Sequence, residues 1–75
     1  MLSCELVRHF GEYRLVIRFY KNPETGDPDG ATVTMFNDSL FRLPLLWSAT
    51  VTWEVAHAVM DIFGTIGYFD YVSTT

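Results

Sequence analysis

Polar and apolar side chains alternate in two runs near the start of the chain, which predicts a β-hairpin. The runs span residues 2–10 and 13–21, and the second is rich in β-branched and aromatic side chains. Gly11 and Glu12 lie between them, and glycine at the first central position is typical of a type II′ two-residue turn. The turn also sets the register of the hairpin, because the two residues that flank it must pair.

This register predicts which side chains face one another across the hairpin. Three pairs share one face, which is apolar apart from Arg8, and they are Phe10 with Tyr13, Leu6 with Ile17 and Cys4 with Phe19. Glu5 faces Arg18 on the opposite face, and opposite charges at such positions stabilise a sheet by roughly 0.2–1 kcal/mol. Ser3 is expected to face Tyr20 on that same face.

The middle of the chain mixes clear and ambiguous patterns. Residues 22–30 contain two prolines and two glycines, which predicts a loop. Residues 31–37 alternate and predict a third strand, paired antiparallel with the second in the most economical topology. In residues 38–51 the alternation of Phe41 with later leucines is interrupted, and Pro44 excludes a central strand. That segment is interpreted as either a short edge strand or a helical turn.

Apolar residues at helical spacing predict an amphipathic helix over residues 52–63. Thr52 is a suitable N-cap, Glu54 in the first turn complements the helix dipole, and Gly64 is a natural C-terminal cap. The expected apolar face consists of Val55, Ala56, Val59, Ile62 and Phe63. Residues 68–73 alternate again and predict a last strand.

Together these elements predict an α+β fold in one domain over residues 1–75. Its small antiparallel sheet comprises the hairpin, the third strand and the C-terminal strand, with one amphipathic helix packed on one face. The order along the chain is β-β-β-(β)-α-β, where the bracketed strand is the ambiguous segment. A chain of 75 residues is too short to build two hydrophobic cores.

Composition and charge exclude several classes of protein. Hydrophobic residues make up 49% of the chain and the net charge is -4, which argues against intrinsic disorder and against a generic nucleic-acid coat. One cysteine, Cys4, excludes a disulfide scaffold. That lone cysteine and the absence of a signal pattern predict a cytoplasmic location. No membrane span is expected, because the longest weakly charged stretch is shorter than the ~20 residues a helix needs.

Few residues have a pattern suited to catalysis or metal binding. Glu54, His57 and Asp61 share one helical face, but a polar, solvent-exposed face explains them better than a metal site. Cys4 and His9 leave opposite faces of a strand, which excludes a thiolate–imidazole dyad between them, while a Cys4–His57 pair stays open. The sequence therefore predicts a protein with no catalytic residues, metal ion or cofactor.

The surface offers a stronger indication than any single motif. Residues 1–21 carry four bases and two acids, whereas residues 22–75 carry seven acids and one base. Clustered in space, the acids would form a patch for a basic partner. Twelve aromatic residues are also more than so small a core can bury, which predicts exposed aromatic side chains at an interface. The residues expected to bind a partner are Glu24, Asp27, Asp29, Asp38, Glu54, Asp61, Tyr20 and Trp47.

Two functions of different classes follow as hypotheses. The first is a non-enzymatic protein–protein interaction module, of the kind that phages and mobile elements encode as inhibitors. It would bind a basic, nucleic-acid-handling protein such as a CRISPR or restriction complex, make no direct contact with nucleic acid, and form a homodimer. The alternative is a dimeric small-molecule-binding domain with an aromatic pocket between sheet and helix, its walls being Trp53, Phe63, Tyr68 and Tyr71. An enzyme acting through Cys4 or the Glu54–His57–Asp61 face is the least favoured hypothesis.

Overall fold

A computed structural model of the chain describes residues 1–40, 42, 44–64 and 71–74. It contains an antiparallel sheet with one helix packed on one face, so the predicted α+β fold is confirmed. The elements are β1 (Leu2–Phe10), β2 (Tyr13–Lys21), β3 (Pro28–Asn37), β4 (Leu45–Val51), α1 (Trp53–Gly64) and β5 (Tyr71–Thr74). The strand order is β4-β3-β2-β1-β5, so β4 and β5 lie at opposite edges.

The hairpin β1–β2 forms in the predicted register. Gly11 has a φ of 61° and no non-glycine residue among those described has a positive φ, as a type II′ turn requires. Glu5 faces Arg18, and its Oε2 lies 2.8 Å from the guanidinium Nε. The predicted pairing of Ser3 with Tyr20 is wrong, because the register shifts between Leu2 and Cys4 and places Leu2 opposite Tyr20.

Strand β3 begins at Pro28, earlier than the pattern predicts. Residues 28–30 therefore belong to a strand and not to the loop, which shrinks to residues 22–27. Proline is tolerated at the first position of a strand because no ladder bond needs its missing N–H. The pairing register of β2 with β3 shifts between Phe19 and Lys21, and beyond this shift Lys21 faces Pro28. The shift accommodates the early start of β3. The predicted antiparallel pairing of this strand with β2 is confirmed.

The ambiguous segment forms an edge strand, which is one of its two predicted interpretations. β4 pairs antiparallel with β3, from Val51 opposite Ala31 to Leu45 opposite Phe36. Pro44 lies just before the strand, where its carbonyl accepts a 2.7 Å hydrogen bond from the Asn37 N–H. The predicted alternation at residues 41 and 43 lies outside the described residues.

The helix begins where its cap predicts, but it buries a different face. The Thr52 Oγ1 accepts a 3.3 Å hydrogen bond from the Val55 N–H, as an N-cap should. Val55 and Ile62 were expected in the core and are instead 48% and 61% exposed. The buried face is rotated toward Trp53, Ala56, Val59, Met60 and Phe63, which pack on the sheet. The large indole of Trp53 reaches the sheet and fixes this rotation, whereas the spacing of apolar residues alone gave equal weight to Val55.

The core lies between α1 and the middle of the sheet. Its buried members come from β1, β2, β3 and α1, and they are Leu6, Leu15, Ile17, Phe19, Ala31, Val33 and Ala56. α1 packs on β3 and β2, so it does not extend to the outer edge of β4. Strand β5 pairs antiparallel with β1, and the part of the predicted strand at residues 68–70 lies outside the described residues. No helix in the described part of the chain is long and apolar enough to cross a bilayer.

Candidate interaction surfaces

Strand β4 lies at one edge of the sheet and is exposed over most of its length. Six of its seven residues are exposed, and no strand within residues 1–40, 42, 44–64 and 71–74 pairs with its outer side. Leu45, Leu46 and Trp47 are 51%, 44% and 49% exposed. The strand contains no charged residue. Natural edge strands usually carry a charge or a proline that prevents pairing with another chain, so this edge is open to a further strand.

Trp47 is exposed because of its place in the sheet. It faces Met35 on the helix side, next to a core that α1 covers only over β2 and β3. Trp47 was predicted to be an exposed partner-binding residue, and Leu45 and Leu46 were not. The signal that would have found them is the run without charged residues from 43 to 53, because charges are what usually protect an edge strand.

Two ion pairs lie on the sheet face opposite the helix. The Arg14 guanidinium contacts both carboxylate oxygens of Asp38, at 3.0 and 3.2 Å, and lies 4.1 Å from the centre of the Phe36 ring. Val16 is only 3% exposed, although it lies on this face and has no helix above it. The guanidinium groups of both Arg14 and Arg18 are held by carboxylates of the same chain.

Four of the predicted acidic residues lie at one end of the sheet. Glu24 and Asp27 come from the 22–27 loop, Asp29 from the start of β3 and Glu54 from the first turn of α1, and all four are exposed. No ion pair joins them to a base within the described part of the chain. We call these four residues the acidic end.

The loop that carries part of the acidic end is held by its own hydrogen bonds. The Asn22 N–H donates to the Asp27 carbonyl, and the Gly26 N–H donates to the Asn22 carbonyl, both at 2.8 Å. The Asn22 side chain accepts from the Glu24 N–H at 2.9 Å. These bonds fix the backbone from which the carboxylates project, so little ordering of this loop is needed on binding.

The other two predicted acids lie elsewhere. Asp38 is at the opposite end of β2, about 26 Å away at 3.3 Å per residue, where its N–H donates to the Glu12 carbonyl. Asp61 lies seven residues after Glu54 on α1, a rise of about 10 Å. Tyr20 is half-buried, and its carbonyl accepts a hydrogen bond from the Trp53 indole. The eight predicted binding residues therefore do not form one continuous patch.

A cleft of about 410 Å³ lies beside the acidic end. It is lined by Pro28, Gly30, Val51, Thr52, Trp53 and Glu54. Of the four aromatic walls predicted for a ligand pocket, Trp53 lines this cleft and Phe63 packs against the core. Tyr68 lies outside the described residues, as does the side chain of Tyr71. The Trp53 Nε1–H donates to the carbonyls of Tyr20 and Gly30, at 2.9 and 2.7 Å, which anchors this wall.

The side chains of Glu54, His57 and Asp61 on α1 do not converge on a common site. The imidazole of His57 turns toward the sheet: its Nδ1 lies 2.8 Å from the Trp53 carbonyl oxygen, and its ring centre lies 4.8 Å from that of Phe19. Glu54 and Asp61 are both exposed. Among the described residues, no group of three His, Cys, Asp or Glu side chains could hold a metal ion.

Cys4 lies on the helix side of β1, opposite Phe19, as predicted. His9 faces Arg14 on the other side of the sheet, so the strand geometry keeps it away from the thiol. Burial raises the pKa of the Cys4 thiol, which disfavours the nucleophilic thiolate at neutral pH.

Comparison with known proteins gives no assignment: no protein-family model, curated protein or solved structure matches this chain.

Proposed function

We propose that this protein is a non-enzymatic protein-binding module and that β4 is the strand through which it binds. The observation that carries the proposal is an open edge of seven uncharged residues with three half-exposed apolar side chains. A partner strand added to such an edge gains main-chain hydrogen bonds, and pockets for alternate side chains add specificity. Leu45 and Trp47 supply apolar surface that water leaves when a partner covers it.

The acidic end suggests which kind of protein would be recognised. Its carboxylates have no basic partner within the described part of the chain, so a basic surface would gain from contact with them. Nucleic-acid-handling proteins present such surfaces. We therefore propose a partner of that class, with inhibition of a CRISPR or restriction complex encoded by a phage or mobile element as one concrete form.

A pull-down with three baits tests the proposal. The baits are the wild-type protein, Trp47→Ser on β4, and Ile62→Ser on α1, where Ile62 is another exposed apolar residue that lies outside β4. We expect one protein to be captured in stoichiometric amount by the wild type and by Ile62→Ser, and to be lost with Trp47→Ser. Circular dichroism checks that each variant is folded.

The salt dependence of capture separates the two surfaces. Contacts through uncharged β4 should persist in high salt, whereas contacts through the acidic end should weaken as charges are screened. Capture of nothing by the wild type would refute the proposal. Equal capture by wild type and Trp47→Ser would exclude β4 as the binding strand.

Binding of a small molecule is a second candidate, favoured by the cleft beside Trp53. Its volume of about 410 Å³ lies within the usual range for ligand sites of ~300–1,000 Å³. A ligand bound there would raise the melting temperature, because it binds the native state alone. A thermal-shift screen in which hits disappear with Trp53→Phe would support this function, and hits that persist in that variant would place the ligand elsewhere.

A further inference from the structure

We infer that the strand bound by β4 is β4 of a second copy of this chain, in a two-fold antiparallel pair. This inference rests on the proposed function, because it takes β4 as the binding strand. It assigns β4 to the second copy and gives the register in which the two strands meet, and it leaves the acidic end of each copy for the basic partner.

Charge is the first reason to choose a second copy. Each chain carries a net charge of -4, so two copies repel each other on average. None of the nine acidic residues lies in β4. Two chains that meet at this edge keep their carboxylates apart, whereas a strongly charged partner strand would find no complementary charge on β4.

The sequence of β4 is also suited to pairing with itself. An antiparallel pair of identical strands has two-fold symmetry, and complete overlap of Leu45–Val51 places Ser48 opposite Ser48 of the second copy. Trp47 then faces Ala49 of the second copy, so a large side chain meets a small one on the helix side. No like charges oppose each other anywhere in this register.

The two edges of the sheet are not equivalent as partners for β4. β4 and β5 run in the same direction, because each is antiparallel to its neighbour in the alternating sheet. Stacking of β4 on β5 of another copy would be a parallel, head-to-tail contact that does not close and would build a filament. The pairing of β4 with β4 closes after two copies and joins two sheets into one.

The size of the edge predicts how stable the dimer is. A standard interface takes about 20–30 residues from each partner, and β4 has seven. We therefore expect a dimer that forms at high protein concentration and dissociates on dilution, with a mass that rises from 8.6 kDa toward twice that value.

The symmetry of the register allows a sharp test by charge swapping. Ser48→Lys and Ser48→Glu each place like charges opposite one another at the two-fold axis, and each variant should stay monomeric in size-exclusion chromatography with light scattering. An equimolar mixture should recover the dimer, because lysine then faces glutamate. Ala58→Lys, on the exposed side of α1, is the matched control and should dimerise like the wild type.

Each other outcome overturns the inference. A wild-type mass of 8.6 kDa at every concentration excludes the second copy, and Trp47-dependent capture of another protein would then leave the proposed function standing. Species larger than a dimer indicate the head-to-tail contact. A dimer that survives Ser48→Lys, or a mixture that stays monomeric, shows that the two-fold axis does not pass through Ser48.

Discussion

Trp53→Phe should destabilise the fold by removing one indole N–H while keeping an aromatic ring. That N–H donates to the carbonyls of Tyr20 and Gly30, at 2.9 and 2.7 Å. Tyr20 lies in the register shift between Phe19 and Lys21, where the β2–β3 ladder is interrupted. The indole therefore bridges β2 and β3 at a point where ladder bonding between them is broken.

The size of the effect follows from the acceptors that lose their donor. A neutral hydrogen bond contributes about 1 kcal/mol net to stability, and a buried acceptor left without a partner costs ~1–3 kcal/mol. Trp53 is only partly buried, so water can replace some of the lost donor. We expect the free energy of unfolding to fall by about 2 kcal/mol. For a domain of this size that corresponds to a decrease in Tm of roughly 8–16 °C.

Urea denaturation followed by circular dichroism measures this change, with Trp47→Phe as the matched control. Trp47 is half-exposed, and we expect its replacement to change the free energy of unfolding by less than ~0.5 kcal/mol. A loss below ~0.5 kcal/mol for Trp53→Phe would refute the bridging role of the indole. Equal losses for both variants would show that ring size, and not the N–H, is responsible.

Three further predictions concern the hairpin and the cysteine. Gly11→Ala should lower the free energy of unfolding by ~1–2 kcal/mol through backbone strain alone, because φ is +61° and no atom lies within 4 Å of the added methyl group. Thermal melts would measure this loss, and an unchanged Tm would contradict it. A double-mutant cycle on Glu5 and Arg18 should give a coupling below ~1 kcal/mol that decreases with salt; a larger or salt-independent coupling would show that the pair is less solvated than its exposure indicates. Burial raises the Cys4 pKa above its ordinary value of 9.0, so the stabilisation by the neutral thiol should be complete below pH 9.0 and be lost as pH rises through the folded-state pKa. The free energies of unfolding of wild type and Cys4→Ala, measured by urea titration across that pH range, should therefore diverge. Parallel curves would exclude the linkage.

The hairpin was predictable in detail because its determinants are local. Gly11 selects the turn, the turn sets the register, and the match of Glu5 with Arg18 checks it within the same short segment. The one error, at Ser3, lies at the far end of the hairpin. There the register depends on a bulge, which alternation alone does not reveal.

Elements whose form depends on distant neighbours were predicted less well. The apolar spacing of α1 allows two faces, and the choice of Trp53 over Val55 is made by carbonyls of β2 and β3 that the helix sequence does not contain. The early start of β3 at Pro28 likewise depends on its pairing with Lys21. Exposure of Trp47 could be expected from the excess of aromatic residues, but the open edge of β4 follows only from the order of all the strands.

The pairing of β1 with β5 also has a consequence for synthesis on the ribosome. The hairpin β1–β2 can close within ~1–10 μs once its residues are free. β1 must then wait for β5, because Cys4 pairs with Thr74, about 50 residues beyond the end of the hairpin. At ~5–20 residues per second this takes several seconds, during which the outer edge of β1 is unpaired.

The charged side chains of β1 suit a strand whose outer edge is unpaired until β5 is synthesised. Glu5 and Arg8 lie within the strand, and charged residues of this kind prevent edges from pairing with other chains. β4, whose outer edge stays unpaired in the folded chain as far as the described residues show, has no such charge. Nascent chains should therefore be shielded from one another at β1 while it waits for β5, whereas β4, once it is synthesised, has no charge that would shield it.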